Sequence, residues 1–160
     1  MIFVITGTQK FGFNRLLKAM DELLANGKIN EKVFAQIGCS TYIPQKYEYI
    51  QFLPMLEFNR YVNEAALIVT HSGGSAINTS LKANKRVVAV PRLREFGEHV
   101  DDHQLEIARE YGKANLLEVC HDVEKLGEHI EIARAKEFAG LENGKSKIAD
   151  IIEQWLEGGC

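Results

Sequence analysis

Short apolar runs alternate with longer amphipathic stretches along this chain, and the alternation lays out a series of strands and helices. Ile2, Phe3, Val4 and Ile5 open it as a predicted strand over residues 2–6. Over residues 13–24 the apolar positions switch to helical spacing, at Phe13, Leu16, Leu17, Met20, Leu23 and Leu24, and Asn26-Gly27 supplies the stop. Two further strands are predicted at 33–37 and 49–53, a helix at 56–65 and a buried strand at 67–70. A short helix at 75–83 leads into a second buried strand, 87–90, ended by Pro91. After a polar loop, Asp101 or Asp102 is placed to cap a helix running to about Tyr111. A last strand is predicted at 116–119 and a helix at 123–138. A final helix, 146–157, carries Ile148, Ile151, Ile152, Trp155 and Leu156 on one side. It packs either on this domain's own core or against a partner.

Strands followed by helices at this spacing imply βαβ units: an α/β, Rossmann-like three-layer α/β/α fold with a mostly parallel sheet covered on both faces. Ligands of such sheets bind at the carboxyl ends of the strands. The candidate site segments are therefore 6–12, 38–41, 70–75 and 91–103. With 160 residues, a single domain spanning 1–160 is expected. A chain of that length buries roughly 70% of its unfolded surface without disulfides or a structural metal.

Charge narrows the function classes. Lys and Arg number 19 against 22 Asp and Glu, a net −3 that argues against a protein gripping nucleic-acid backbones by net charge. A small phosphate, needing only a few donors, remains open. Cys39, Cys120 and Cys160 form no CxxC, which fits a reducing compartment. The four apolar residues at the start are too few for a signal-peptide core, and no run approaches the ~20 residues of a membrane span. A soluble, cytoplasmic protein is expected, able to reach a membrane through a partner.

Three segments can carry chemistry. Thr6-Gly7-Thr8-Gln9-Lys10-Phe11-Gly12 has glycines at P-loop spacing, but Phe13-Asn14 stands where Lys-Ser or Lys-Thr is needed. That excludes an NTPase loop and leaves either a plain strand-to-helix turn or one that meets phosphate. His71-Ser72-Gly73-Gly74-Ser75 follows a buried strand and enters a helix. Its glycines permit close approach of a ligand, the helix end attracts an anion, the serines add hydroxyls, and His71 can donate to a phosphate oxygen. Alternatively Ser75 only caps the helix. The third segment, 91–104, offers Arg92, Arg94, Glu98, His99, Asp101, Asp102, His103 and Gln104. It reads as a solvated loop or as one folding over a polar ligand. His99 and His103, four apart, also suggest a metal pair, but no third histidine is near and a metal is not expected. Neither a GxSxG elbow nor a D-x-D occurs.

At these segments the sequence resembles the C-terminal, nucleotide-sugar-binding half of family 28 glycosyltransferases, enzymes of the GT-B fold. The strings that carry the likeness are Ile5-Thr6-Gly7-Thr8, His71-Ser72-Gly73-Gly74, Val87-Val88-Ala89-Val90-Pro91-Arg92 and Phe96-Gly97-Glu98-His99-Val100-Asp101-Asp102-His103-Gln104. The last is most similar to the E-type subunit of bacterial two-component exopolysaccharide and capsule glycosyltransferases, in which this half is a separate polypeptide. The resemblance implies that Gly7, Thr8 and Gln9 approach a diphosphate from the first turn. It implies that His71, Ser72, Gly73, Gly74 and Ser75 hold that diphosphate from the helix N-terminus. Gln36 and Gly38 match the Gln-x-Gly after the second strand, and Phe52 and Leu53 the position against the uracil ring. His103 and Gln104 match the pair that reaches the donor sugar and phosphates. One departure is Thr79, standing where the family usually has a glutamate for the ribose hydroxyls; it offers one hydroxyl bond instead.

The implied activity is transfer of a hexose from a UDP-sugar, with inversion, to a lipid-linked acceptor in polysaccharide biosynthesis. This chain would be the donor-binding subunit, active with a membrane-anchored acceptor-binding partner that places it at the inner face of the membrane. No cofactor or metal is implied, and the general base is expected on the other half. The alternatives are a non-catalytic nucleotide-binding accessory subunit and, through His99 and His103, a metal hydrolase. Gly73→Val is expected to block diphosphate approach with the fold intact.

Overall fold

A computed structural model describes residues 1–141; the predicted helix over 146–157 lies outside the described residues. Six strands form one sheet: β1 (Ile2–Ile5), β2 (Val33–Gln36), β3 (Glu48–Ile50), β4 (Leu67–His71), β5 (Arg86–Val90) and β6 (Glu118–Val119). Their spatial order is β3-β2-β1-β4-β5-β6, and every pairing is parallel. This is a Rossmann-like α/β sheet. The chain winds outward from β1 through β2 to β3, returns across the sheet, and winds outward again from β4 to β6. The reversal leaves a crevice beyond the carboxyl ends of β1 and β4.

The burial alternation within β1 shows why both sheet faces are covered. Ile2 and Val4 join one core with Leu16, Leu17, Met20 and Leu23 of α1 (Asn14–Ala25) and Leu126, Ile130 and Ala133 of α5 (Leu126–Ala135). Phe3 and Ile5 point the other way. They pack with Val62 of α2 (Met55–Glu64), Ile77 and Leu81 of α3 (Gly74–Lys82), and Ile107 and Tyr111 of α4 (His103–Lys113). Two helices therefore cover one face and three the other, and strands buried on both sides read as continuous apolar runs.

Element boundaries differ from the sequence pattern where a local bond decides. The strand expected at 49–53 is the short, exposed edge strand β3, so Phe52 and Leu53 lie beyond it. The stretch expected as one helix over 123–138 begins with a 3-10 turn, Val123–Lys125, because the Asp122 carboxylate accepts the Glu124 N–H at 3.0 Å. It ends at Ala135, since Lys136 is extended. Of the two candidate caps for α4, Asp101 does the work: its Oδ1 accepts the His103 N–H at 3.0 Å, while Asp102 Oδ1 accepts from Arg94 N–H. No helix among the described residues is long and apolar enough to cross a membrane.

One buried carboxylate organises the long β2–β3 connection. Asp21 of α1 accepts the Tyr42 hydroxyl at 2.6 Å and the N–H groups of Gln45 and Lys46 at 2.8 and 2.9 Å. That bond holds the Tyr42 phenol up at about 12. Replacing Asp21 by Ala strands three donors around a buried site and should cost roughly 2–4 kcal/mol. Urea unfolding measures this, and a loss below about 0.5 kcal/mol would show that the connection is held elsewhere.

Candidate functional site

The crevice between β1 and β4 is a cleft of about 380 Å³. Its walls come from Gln36 at the end of β2 and from the segments after β1, β3, β4 and β5, as expected for the carboxyl edge of a parallel sheet. Gly7, Thr8, Gln9, Gln36, Leu53, His71, Gly73, Gly74, Ser75, Thr79 and Gln104, all expected from the sequence, line it. Phe52, Gly38, Ser72 and His103 are not among the lining residues. Arg92, Met55 and Phe58 are.

The two turns beside the cleft end differently. At α1 the Phe13 N–H is taken by Ser40 Oγ at 2.9 Å, and Asn14 bonds the Thr41 and Tyr42 N–H groups, which ties this helix start to the loop after β2. At α3 the N-cap is Gly73, with no side-chain cap. Ser75 sits inside the first turn and does not cap. The first N–H groups of α3 therefore open toward the cleft, which is the arrangement that attracts an anion.

His71 forms the floor. A Cβ at Gly7 would lie 2.7 Å from its Nε2, and one at Gly73 only 2.3 Å, so both glycines are needed to admit the ring. Gly7 also has φ +89°, a left-handed conformation suited to glycine. A valine at position 73 would therefore displace the imidazole as well as narrow the cleft, which corrects the expectation that Gly73→Val acts on ligand approach alone. At Gly74 an added Cβ meets nothing within 4 Å.

Bond donors and acceptors settle the state of that imidazole. Nδ1 is 3.3 Å from the Ile5 carbonyl and 3.3 Å from Thr70 Oγ1. The Thr70 hydroxyl donates its own proton to the His71 carbonyl at 2.9 Å, so both neighbours of Nδ1 accept. Nδ1 therefore carries the hydrogen, and the neutral ring leaves Nε2 without one. Burial, with the Arg92 charge adding to it, lowers the pKa of His71 to about 3. In this form Nε2 carries a lone pair and no hydrogen.

Arg92, the first residue beyond Pro91, lies in a segment the sequence marks as a candidate, but no role toward the ligand was expected of it. It is only 1% exposed, donates to the Phe11 carbonyl at 3.2 Å, and reaches Gln104 Oε1 from both its backbone N–H and its Nε. Burial lowers its pKa, partly offset by the charge of Glu98. No carboxylate among the described residues pairs with it within 4.0 Å. Glu98, itself buried, is engaged by Arg15 of α1 through two bonds of 2.9 Å and by the Leu93 N–H at 3.0 Å. That pair folds the loop after β5 back onto α1, so the segment is pinned at Glu98 while residues 94–97 and 100–103 stay exposed. The only sequence signal for Arg92 was its position immediately after a buried strand and a proline.

The remaining candidates sort by geometry. Gln36 Oε1 accepts the Leu53 N–H at 2.9 Å and holds Leu53 at the cleft wall. Gly38 has φ +55°, and a Cβ there would come within 2.3 Å of the Gly7 carbonyl, so its place is in the packing of the two turns. Ser72 is fully buried, and its Oγ has no hydrogen-bond partner. His103 and Gln104, adjacent on a helix, point about 100° apart. Gln104 faces Arg92, and His103 lies 3.6 Å from Glu106. His99 bonds Asp101 at 3.0 Å and lies against the Phe11 ring.

Fold and cleft together define a Rossmann-like α/β domain whose crevice suits a phosphate-bearing ligand. The chain belongs to the glycosyltransferase family 28 C-terminal domain family, which matches residues 1–155. Among solved structures it is similar to the glycotransferase of kitacinnamycin, at 16% identity and a TM-score of 0.58 over 83% of this chain. It is also similar to MurG of Acinetobacter baumannii, at 17% identity and a TM-score of 0.54 over 94% of this chain. The chain spans 35% and 49% of the lengths of those two proteins. No match was found among curated proteins.

The buried, neutral His71 has a consequence for stability. Its folded pKa lies below the unfolded 6.5, so the unfolded chain binds the extra proton as pH falls below 6.5. Stability in the unliganded protein should therefore drop between pH 6.5 and 5 by up to about 1.4 kcal/mol per pH unit from this group. Urea midpoints across that range, compared with His71→Gln, test it. Equal slopes in both proteins would show that His71 is not the group.

Proposed function

We propose that this chain is the donor-binding, catalytic subunit of a two-component inverting glycosyltransferase, moving a hexose from a UDP-sugar to a lipid-linked acceptor in polysaccharide biosynthesis. The observation that carries the reading is the open N-terminus of α3 facing Arg92 across the crevice between β1 and β4. A diphosphate laid on the N–H groups of residues 74–76 meets a helix end on one side and a guanidinium on the other. Leu53, Met55 and Phe58 supply an apolar wall for the base, and Thr79 stands on α3 where a ribose hydroxyl would reach it.

In the reaction the acceptor hydroxyl attacks the anomeric carbon from the face opposite the nucleotide. The bond from that carbon to the β-phosphate oxygen breaks, its electron pair stays on the departing UDP, and the hydroxyl proton passes to a base. Catalysis by this half is stabilisation of the charge that grows on UDP. Arg92 and the helix end supply that positive charge, so no metal is invoked. The base and the acceptor site belong to the other lobe, here a membrane-anchored partner that holds the chain at the inner face of the membrane.

Calorimetry with UDP, UDP-glucose, UDP-galactose and UDP-N-acetylglucosamine should give saturable binding of UDP and of at least one sugar nucleotide, by the chain alone or with its partner. No saturable binding in either form contradicts the reading. Two variants locate the site. Gly74→Val adds bulk only to open space in the cleft, and Arg92→Gln removes a buried charge that has no carboxylate partner. Each should weaken UDP at least about tenfold, near 1.4 kcal/mol, with the unfolding midpoint kept within about 0.5 kcal/mol of the parent or, for Arg92→Gln, raised. Unchanged affinity in both variants would move the diphosphate away from α3.

A further inference from the structure

The imidazole at the floor of the cleft presents a contradiction that a ligand must resolve. Nε2 of His71 lies between Gly7 and Gly73, where the two turns meet and where a diphosphate on the α3 N-terminus arrives. In the unliganded protein this nitrogen has a lone pair and no hydrogen, because Nδ1 is fixed as the donor by the Ile5 carbonyl and by Thr70 Oγ1. A phosphate oxygen is also an acceptor. Two acceptors facing each other in a buried site repel, and the repulsion ends when one of them takes a proton. A phosphodiester oxygen is far less basic than an imidazole, so the proton goes to the ring.

Resting on the donor-binding reading above, we propose that this chain binds the diphosphate of a nucleotide sugar together with one proton, taken up at Nε2 of His71. The protonated ring then donates from Nε2 to a phosphate oxygen while Nδ1 keeps its bond to Ile5. The charged and titratable groups facing His71 are Arg92, beyond β5, and His99, in the loop before α4. Both disfavour a positive ring, and burial disfavours it more, so the empty cleft keeps His71 neutral. A diphosphate reverses that balance by placing two negative charges beside Nε2. The proton is thus recruited with the donor, and His71 stands as an added hydrogen-bond donor when charge builds on the departing UDP. Affinity falls as pH rises, by nearly tenfold per pH unit between the pKa of the free ring and that of the ring in the complex, and levels off above the latter.

The test is calorimetry of UDP-sugar binding at a single pH near 6.5 in buffers of different ionisation heat. A UDP-sugar is used because its diphosphate has no proton of its own that titrates near neutrality. The apparent enthalpy should rise with the ionisation heat of the buffer with a slope near one proton taken up per ligand, about 1. A slope of zero with intact binding overturns the proposal and leaves the donor-binding reading standing. No binding of any sugar nucleotide overturns that reading, and the proposal with it. In His71→Gln, whose side-chain amide donates without titrating, binding should persist, weakened several-fold, with the slope abolished. A full slope in that variant would place the proton on another group and overturn the assignment. Nitrogen NMR of the His71 ring in the unmodified protein needs no folded variant. It should show a neutral ring protonated at Nδ1 when free and a ring protonated at both nitrogens when bound. A neutral ring in the complex contradicts the proposal.

Discussion

All six strands point the same way, and the cleft follows from that constraint. A parallel sheet delivers every strand-to-helix turn to one edge, so the segments after β1, β3, β4 and β5 meet without being near in sequence. The winding reverses between β1 and β4, where two adjacent strands send their helices to opposite faces. The gap there cannot be closed by a crossing helix. Gly7 and Gly73 line it because the His71 ring fills the floor between them and leaves no room for a Cβ. Burial of the strands on both faces makes this edge rigid, so the turns sit on a fixed base.

Charge is distributed over that base in a way a purely structural edge does not require. Arg92 is buried with carbonyl partners, while the adjacent buried carboxylate of Glu98 is engaged by Arg15 and a backbone N–H. Glu98 is paired with Arg15 and not with Arg92. The arrangement keeps a cation available at the cleft and uses the acid to fold the loop that presents it. His71, held neutral, adds no standing charge. Such departures from local stability concentrate where a protein binds or reacts.

The fold was legible because its signals are redundant. The run Ile2–Ile5 and the helical spacing of Leu16, Leu17, Met20 and Leu23 each repeat information that the neighbouring elements also carry. Elements with few buried residues were less legible: β3 has three exposed residues and pairs with β2 alone, and the turn at Val123–Lys125 is started by the Asp122 side chain. In the site, glycine and hydroxyl residues after strands were readable, since position in a βα turn implies proximity to the crevice. Three features were not. The tautomer of His71 depends on Thr70 and Ile5, whose relation appears only when β1 and β4 pair. The role of Arg92 depends on Glu98 being taken by Arg15, 83 residues away in sequence. Gly38 reads as a ligand-side glycine but is required by the carbonyl of Gly7.

The most direct measurement of the central claim is a crystal structure of the chain with UDP bound. The account predicts the diphosphate on the N–H groups at residues 74–76, with the Arg92 guanidinium and His71 Nε2 within hydrogen-bond distance and the uracil against Leu53. A nucleotide whose phosphates rest on the turn into α1 or outside the β1/β4 crevice, with Arg92 still bonded only to Phe11 and Gln104, would contradict it.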